Sequence, residues 1–460
     1  MKKNDCLTLS IQRLNEKGHG TARLNERKIA IPYALPNEKI EAVLLRKQRA
    51  VWEARLETVI EKSPSRLPFK CAHAGKCGGC QLQHWDYSAQ LQQKEEWIRE
   101  LFLDFSPDHF FAIIGCESPW NYRNKMEYTF SESREGEKFL GLLRQGSQRV
   151  ENIEGCDLAP VWFSKCLNAV RQWWRERGYS AFHPRRGEGL LRNLTLRQAV
   201  HTQERMVILT IHKDPSEEFS IADRNPFLEA LKEFLVNATV ILKTHIAQKG
   251  QPNRWDEELL FGKGYLIEEM GIGKAGRLKF KISPDAFFQP NPIQAQKLFE
   301  RALELADIGP HESVLDLYSG TGVLSLVASL RAKSVIGIEL NASAVKDAGE
   351  NILLNDIANV TTINGDVGRV LKERNWSTNS FQTVIVDPPR SGLTPDAIEQ
   401  ILSLSPQKIV YISCNPRTQA LNVKVFLENG YQIGAIQPVD QFPHTYHIEN
   451  IVILYKKSPF

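Results

Sequence analysis

Two residues near the C-terminal end carry side chains able to make and break bonds to carbon. Cys414 stands in Ser413-Cys414-Asn415-Pro416, and Glu449 ends Pro443-His444-Thr445-Tyr446-His447-Ile448-Glu449. A partly exposed thiolate near positive charge is a nucleophile. A carboxylate whose pKa is raised in a water-poor site is a general base. Each has a bland alternative. A lone cysteine is usually a small core residue, and Glu449 has the place of an edge-strand carboxylate paired with Lys or Arg. On residue type alone, those alternatives are the better reading of each.

A third constellation points to a cofactor. Asp316-Leu317-Tyr318-Ser319-Gly320-Thr321-Gly322 follows the apolar run Ser313–Leu317 and precedes a predicted helix, Val323–Leu330. Gly320 and Gly322 let the backbone approach a ligand at the carboxyl edge of the strands. Glu339 closes the next strand, 19 residues after Gly320, where an acid accepts hydrogen bonds from two ribose hydroxyls. Asp366, in Asn364-Gly365-Asp366, is placed to hold an adenine amino group. The loop lacks the third glycine that a dinucleotide's pyrophosphate needs. S-adenosylmethionine carries no phosphate, so a nucleoside cofactor of that kind fits better than a structural turn. Asp387-Pro388-Pro389-Arg390 ends a fourth strand and faces the same edge.

These residues need a sheet to hold them. Ser313–Leu317, Val335–Glu339, Val360–Ile363, Thr383–Val386 and Lys408–Ile412 are short and nearly all apolar, alternating with helical stretches. Such strands fit a parallel sheet covered on both faces, an α/β fold. Upstream, Leu7–Ile11, Ile29–Tyr33, Ile40–Leu44 and Ala54–Ile60 alternate between turn residues, predicting a small antiparallel barrel. Arg46, Lys47, Arg49 and Trp52 are expected on one connection at its rim, and 63–68 reads as a linker. Between barrel and sheet, strand-like and helical runs mix. A length of 460 residues suggests roughly three domains, expected at 1–65, 66–285 and 286–460.

Composition narrows the class. With 42% hydrophobic and 24% charged residues the chain can bury a sizeable core, and no run of about 18 apolar residues predicts a membrane span. No apolar signal region follows Met1, so a cytoplasmic location is expected. The net charge of +4 hides an asymmetry: through Lys70 there are 15 Lys and Arg against 8 Asp and Glu. A basic N-terminal module suggests a polyanion partner as readily as a solvated surface. Arg171, Arg175, Arg177, Arg185, Arg186, Arg192 and Arg197 interleave with Trp173, Trp174 and Phe182. That mixture suits phosphate contacts and base stacking, although an amphipathic helix with a Trp in the core accounts for part of it equally well.

Eight cysteines are too few and too clustered for a disulfide scaffold. Cys71, Cys77 and Cys80 form C-x5-C-x2-C, with Cys156 far downstream. Four thiolates bind zinc or an iron–sulfur cluster; three close and one distant favour iron–sulfur over the paired C-x2-C of zinc ribbons.

The sequence resembles the RNA uracil-5-methyltransferases that use S-adenosylmethionine. The matching elements, in order over nearly the whole chain, are Phe288-Gln289-Pro290-Asn291, the 316–322 loop, Asp387-Pro388-Pro389-Arg390, Ser413-Cys414-Asn415-Pro416 and the 443–449 segment. The resemblance implies a Rossmann-like methyltransferase domain, with Cys414 as nucleophile and Glu449 as base. Gln289, Tyr318, Glu339 and Asp387 then contact cofactor or substrate, and Tyr122-Arg123-Asn124-Lys125 lies near the substrate. The N-terminal strands look like a TRAM (OB-like) RNA-binding module, and the four cysteines look like those carrying a 4Fe–4S cluster in the ribosomal RNA branch. The expected reaction is methylation of uridine in 23S ribosomal RNA by a monomer with no obligate protein partner; a transfer RNA enzyme, or an RNA-binding iron–sulfur protein without this activity, is the alternative. The C-x5-C-x2-C spacing differs from the C-x3-C-x2-C of radical methylthiotransferases, and Arg390 stands where amino-methyltransferases carry an aromatic ring. Residues Ile246–Gly264 depart from the Asn-rich, Gly-rich hairpin of the family.

Overall fold

The computed structural model describes residues 2–457 except 215, 248–249, 274–275 and 375. The first six strands, β1 (Cys6–Ser10), β2 (Arg13–Leu14), β3 (Gly20–Leu24), β4 (Arg27–Ile31), β5 (Lys39–Gln48) and β6 (Val51–Glu61), form one sheet ordered β1-β5-β6-β4-β3-β2. Alternate residues, among them Ile29, Ile31, Ile40, Ala42 and Leu44, turn inward to a small core of their own. The predicted all-antiparallel barrel needs correcting. β4 pairs parallel with β6, and among the described residues no ladder joins β1 to β2 to close the curled sheet. Arg46 and Lys47 lie within β5 rather than on a connection, and Trp52 is buried in the module's core. The 63–68 segment is tied down: the Arg66 guanidinium pairs with the wholly buried Glu38 carboxylate.

Helix α1 (Tyr87–Leu101) and the two-residue strand β7 (His109–Phe110) come next. A seven-stranded sheet follows, ordered β10-β9-β8-β11-β12-β13-β14, from β8 (Lys125–Glu132), β9 (Lys138–Leu143), β10 (Val150–Asn152), β11 (Leu191–Gln198), β12 (Arg205–His212), β13 (Ala238–Ile246) and β14 (Arg254–Phe261). Helices α2 (Val161–Arg177) and α3 (Ile221–Ala230) pack against it. Trp173 meets Phe227 of α3 at 4.9 Å and Trp174 meets Phe130 of β8 at 5.0 Å, so neither Trp is available to RNA. Arg171 and Arg197 are buried too; Arg171 donates to the carbonyls of Leu140 and Ile153.

After the hairpin β15 (Leu266–Gly271) and β16 (Arg277–Ile282), α4 (Pro292–Ala306) opens the last unit. Its elements are β17 (Ser313–Leu317), α5 (Val323–Ser329), β18 (Ser334–Glu339), α6 (Ala342–Leu354), β19 (Val360–Asn364), α7 (Val367–Arg374), β20 (Thr383–Val386), α8 (Pro395–Leu404), β21 (Lys408–Ser413), α9 (Pro416–Glu428), β22 (Tyr431–Val439) and β23 (Glu449–Lys456). The sheet order is β19-β18-β17-β20-β21-β23-β22-β7, with β17 to β21 parallel and β23 antiparallel to both neighbours. This is a doubly wound α/β sheet with two apolar layers, one on each face. Its strands are apolar throughout because both faces are covered.

Candidate active site

Strand β17 delivers the chain to a strained turn. Tyr318 has φ 65°, Gly320 55° and Gly322 82°. A Cβ on Gly320 would meet nothing within 4 Å among the described residues, so the space above it is open. Gly322 is needed for packing: a Cβ there would press on Ala348 at 3.1 Å. The Gly320 N–H donates to Glu339 Oε2 (3.0 Å), and the Asn341 N–H to Oε1 (2.7 Å). Glu339 therefore braces the glycine loop and keeps its remaining lone pairs for a ligand. Asp366 is exposed and accepts from the Arg369 N–H (3.0 Å), capping α7. Asp316, wholly buried, accepts from Ser325 Oγ with one oxygen and has no partner among the described residues for the other. Burial, with the nearby charges of Asp387 and Glu339, pushes its carboxyl up to about 7.

Strand register brings together the two residues expected to react. In the β21–β23 ladder Ser413 lies opposite Asn450. One step further along antiparallel strands brings Cys414 beside Glu449, 35 residues away in sequence. Asn450 Nδ2 donates to Gln419 Oε1 (2.8 Å), and Gln419 Nε2 donates to the carbonyls of Tyr411 and Asn450. Those bonds pin β23 to β21 and the start of α9. Asn415 Nδ2 donates to the Arg390 carbonyl (2.8 Å), drawing the Asp387–Arg390 turn onto the same strand end.

Electrostatics follow from that crowding. Burial pushes the Cys414 thiol up to about 11; Glu449 and Asp387 push the same way, and Arg390 opposes them. Burial and Asp387 hold the Glu449 carboxyl well above its ordinary range, again opposed by Arg390. Burial raises Asp387 itself to about 7. His447 is brought down to about 4 by burial and the charges of Arg390, Lys94 and Arg123, so it is neutral at pH 7. Sequence reasoning did not single out Arg390 as a working residue. Its signal was there, as the cation in Asp-Pro-Pro-Arg. With Cys414 as the expected nucleophile, only its thiolate would attack, and kcat/KM is then expected to climb steadily from about pH 6.5 to about pH 9. A pH–rate profile that levels off near neutrality would show a thiol far more acidic than this surrounding permits.

The segment before Glu449 is held from behind. The Lys94 amine of α1 pairs with Asp440 at 2.6 Å, both side chains fully buried, and Tyr87 OH donates to the same carboxylate (2.8 Å). The Gln81 and Leu82 N–H groups donate to the His444 carbonyl (3.0 and 2.9 Å), and Trp120 lies 3.9 Å from the His444 ring. Tyr122 OH donates to the Pro443 carbonyl (3.1 Å), and Asn124 Nδ2 to the Gln289 carbonyl (3.2 Å). Gln289 sits half-buried, Gln441 Nε2 reaching its Oε1 at 3.5 Å. Two residues earlier Phe287 is 70% exposed, an aromatic ring the sequence reading passed over. Lys94→Ala leaves the Asp440 charge buried without its cation. It is expected to cost about 3–5 kcal/mol, read as a lower denaturation midpoint in urea.

Cys71, Cys77, Cys80 and Cys156 line one small cavity, together with His73 and with Arg123, whose charge also acts on His447. The His73 N–H points at Cys71 Sγ and the Gly79 N–H at Cys77 Sγ, both at 3.4 Å. Burial raises the Cys156 thiol to about 11 and Cys80 further. Among the described residues, no three His, Cys, Asp or Glu side chains converge as a site for a metal ion.

A glycine turn after the first strand of a doubly wound sheet, with acids at the neighbouring strand ends, defines a nucleoside-cofactor site, and comparison with known proteins gives the class. The chain resembles along 97% of its length the crystal structure of Pyrococcus abyssi tRNA (uracil-54, C5)-methyltransferase in complex with S-adenosyl-L-homocysteine, covering all of that chain with a TM-score of 0.75 and 25% identity. It is 40% identical to an uncharacterized RNA methyltransferase of Protochlamydia amoebophila, over 92% of this chain and 99% of that one. It is 33% identical to another from Caldanaerobacter subterraneus subsp. tengcongensis, over 99% and 100%. This is an S-adenosylmethionine-dependent RNA methyltransferase. Residues 86–457 match the tRNA (uracil-5-)-methyltransferase family, and the chain belongs to that family. Among the described residues, no helix is long and apolar enough to cross a membrane.

Proposed function

We propose that the protein transfers a methyl group from S-adenosylmethionine to carbon 5 of a uridine in 23S ribosomal RNA. The observation that carries this reading is the register that brings Cys414 beside Glu449, with Asp387 and Arg390 at the same sheet edge. Bound at the glycine loop, against Gln289, Tyr318, Gly320, Gly322, Glu339, Asp366 and Asp387, the cofactor supplies an electrophilic methyl group. Carbon 5 of uracil is a poor nucleophile toward it. Attack of the Cys414 thiolate on carbon 6 turns the ring into an enolate, with carbanion character at carbon 5. Once carbon 5 has accepted the methyl group, Glu449 removes its proton and the thiolate leaves. A carboxyl raised by burial suits that task, because it holds a proton readily. The target base must leave its stack to reach the pocket, and the exposed Phe287 ring offers it a surface.

The basic N-terminal sheet, read as a TRAM-like RNA-binding module, and the cysteine site both support a ribosomal substrate. We read the enzyme as a cytoplasmic monomer. Transfer RNA is the second reading, favoured by the substrate of the Pyrococcus abyssi relative. Labelled S-adenosylmethionine with total RNA tests the choice. Label at 5-methyluridine in 23S digests supports the first reading; label in transfer RNA alone supports the second.

The four cysteines are proposed to hold a 4Fe–4S cluster. Four thiols around one cavity supply the required ligand set, and two backbone N–H groups already point at sulfur, where they would stabilise thiolate charge. A four-iron cluster spaces its ligands more widely than a single ion does, so thiols that do not chelate one ion still suit it. Protein purified without oxygen is expected to be brown, with iron and sulfide in equal amounts, and Cys80→Ser to lose that colour. Colourless protein carrying stoichiometric zinc would contradict the assignment.

A further inference from the structure

One aromatic cluster beside the seven-stranded sheet, open to solvent at Trp255, is not used by the chemistry above. Phe182, His212, His245 and Trp255 form a continuous aromatic tier, with successive ring centroids 4.7, 5.3 and 4.6 Å apart. His212 and His245 are buried, and burial with the charge of Arg192 lowers both below their ordinary pKa, so the tier is neutral at pH 7. Trp255 ends it on the edge strand β14 and is 43% exposed. The Arg192 guanidinium lies 4.5 Å from the Phe182 ring and 5.5 Å from that of Trp255. It contacts His245 Nδ1; the charge of the Glu127 carboxylate also acts on it, though no ion pair of Arg192 is found among the described residues. Two χ angles, a tilted His ring against it and a cation nearby leave Trp255 little freedom to lose on binding.

The tier also connects with the reaction site. Lys243 lies 5.0 Å from the Trp255 ring and pairs with Asp285, two residues before the exposed Phe287 and four before Gln289. We propose that this patch binds one unpaired nucleotide of the substrate RNA, next to the segment carrying the target uridine. The base stacks on the open part of Trp255, and Arg192 takes its phosphate. Aromatic rings offer a face to any base, and an arginine that Glu127 approaches without an ion pair among the described residues keeps donors for an anion. A continuous path of Trp255, Lys243, Asp285 and Phe287 favours a strand already held at Gln289 over an unrelated partner. The inference rests on the proposed reading of the protein as an RNA uridine methyltransferase.

The test measures binding separately from methylation. The full-length protein is titrated, without methyl donor, into a short fluorescein-labelled oligouridylate and into the same strand paired with oligoadenylate. Trp255→Ala and Arg192→Gln are each expected to weaken single-strand binding about tenfold, while Trp255→Phe keeps most of the affinity. With substrate RNA and methyl donor, the same loss should fall on KM rather than on kcat. Unchanged single-strand affinity in both variants overturns the proposal. So does equal binding of the duplex, or displacement of the oligouridylate by polyglutamate at matched charge, which would mark an acidic-protein surface. A wild-type protein that binds through Trp255 but places no label in uridine would sink the reaction assigned above and leave this site standing.

Discussion

Replacing Cys414 with alanine is expected to remove methyl transfer to RNA, a loss of about four orders of magnitude or more in kcat. The size follows from the chemistry. Without a sulfur at carbon 6 the uracil ring has no enolate, and carbon 5 has too little electron density to take a methyl group. Binding should survive, because the thiol supports no strand or helix: the site is pinned by Asn415, Gln419 and Asn450, which the substitution leaves in place. Single-turnover methylation with labelled donor, beside an RNA-binding titration, separates the two effects. Retained binding with lost transfer is the expected result. Near-normal transfer by the alanine variant would rule out a covalent route through this residue.

Glu449→Gln should have the second largest effect, and a different character. Glutamine fills the same buried volume and keeps the carbonyl oxygen, but it cannot accept the proton from carbon 5. Attack and methyl transfer proceed, and elimination stalls. Turnover is expected to fall about 100- to 10,000-fold, with methylated RNA accumulating on the protein as a conjugate that survives denaturing gels. The contrast with Cys414→Ala, which should form no conjugate at all, is the informative part. If Glu449→Gln turns over freely, another group takes the proton; Asp387, raised to about 7 beside it, is then the next candidate.

How these two residues meet could not be read from the chain. The parallel strands were legible because five apolar runs alternate with helical stretches, and the cofactor loop because its glycines sit where strand turns into helix. The reversal of β23 was not legible. An apolar strand looks the same in either direction, yet only the antiparallel pairing of Ser413 with Asn450 puts Glu449 next to Cys414. Strand β7, two residues long, carries no periodicity at all, and only its pairing with β22 defines it. The Trp173-Trp174 pair stayed open between base stacking and the core for a related reason. Helix α2 is covered on two sides, by α3 and by the sheet, so adjacent positions are both buried where a one-sided helix would bury one. Arg192 does meet Phe182, as its place in the sequence suggested, but its second aromatic neighbour, Trp255, lies 63 residues away and is brought close by the β13–β14 pairing. The cysteines were legible as a set, since residue type and spacing suffice to suggest shared ligation, and the fold does bring all four to one cavity.

Substrate RNA carrying 5-fluorouridine, given to the wild-type protein with S-adenosylmethionine, goes to the centre of the mechanism. Glu449 can remove a proton from carbon 5 but not fluorine, so the sulfur–carbon bond should be locked in place. A protein–RNA conjugate stable to denaturing gels, with the added methyl in its mass and the link mapped to Cys414, is the predicted outcome. No conjugate, or one that forms equally in Cys414→Ala, would contradict it.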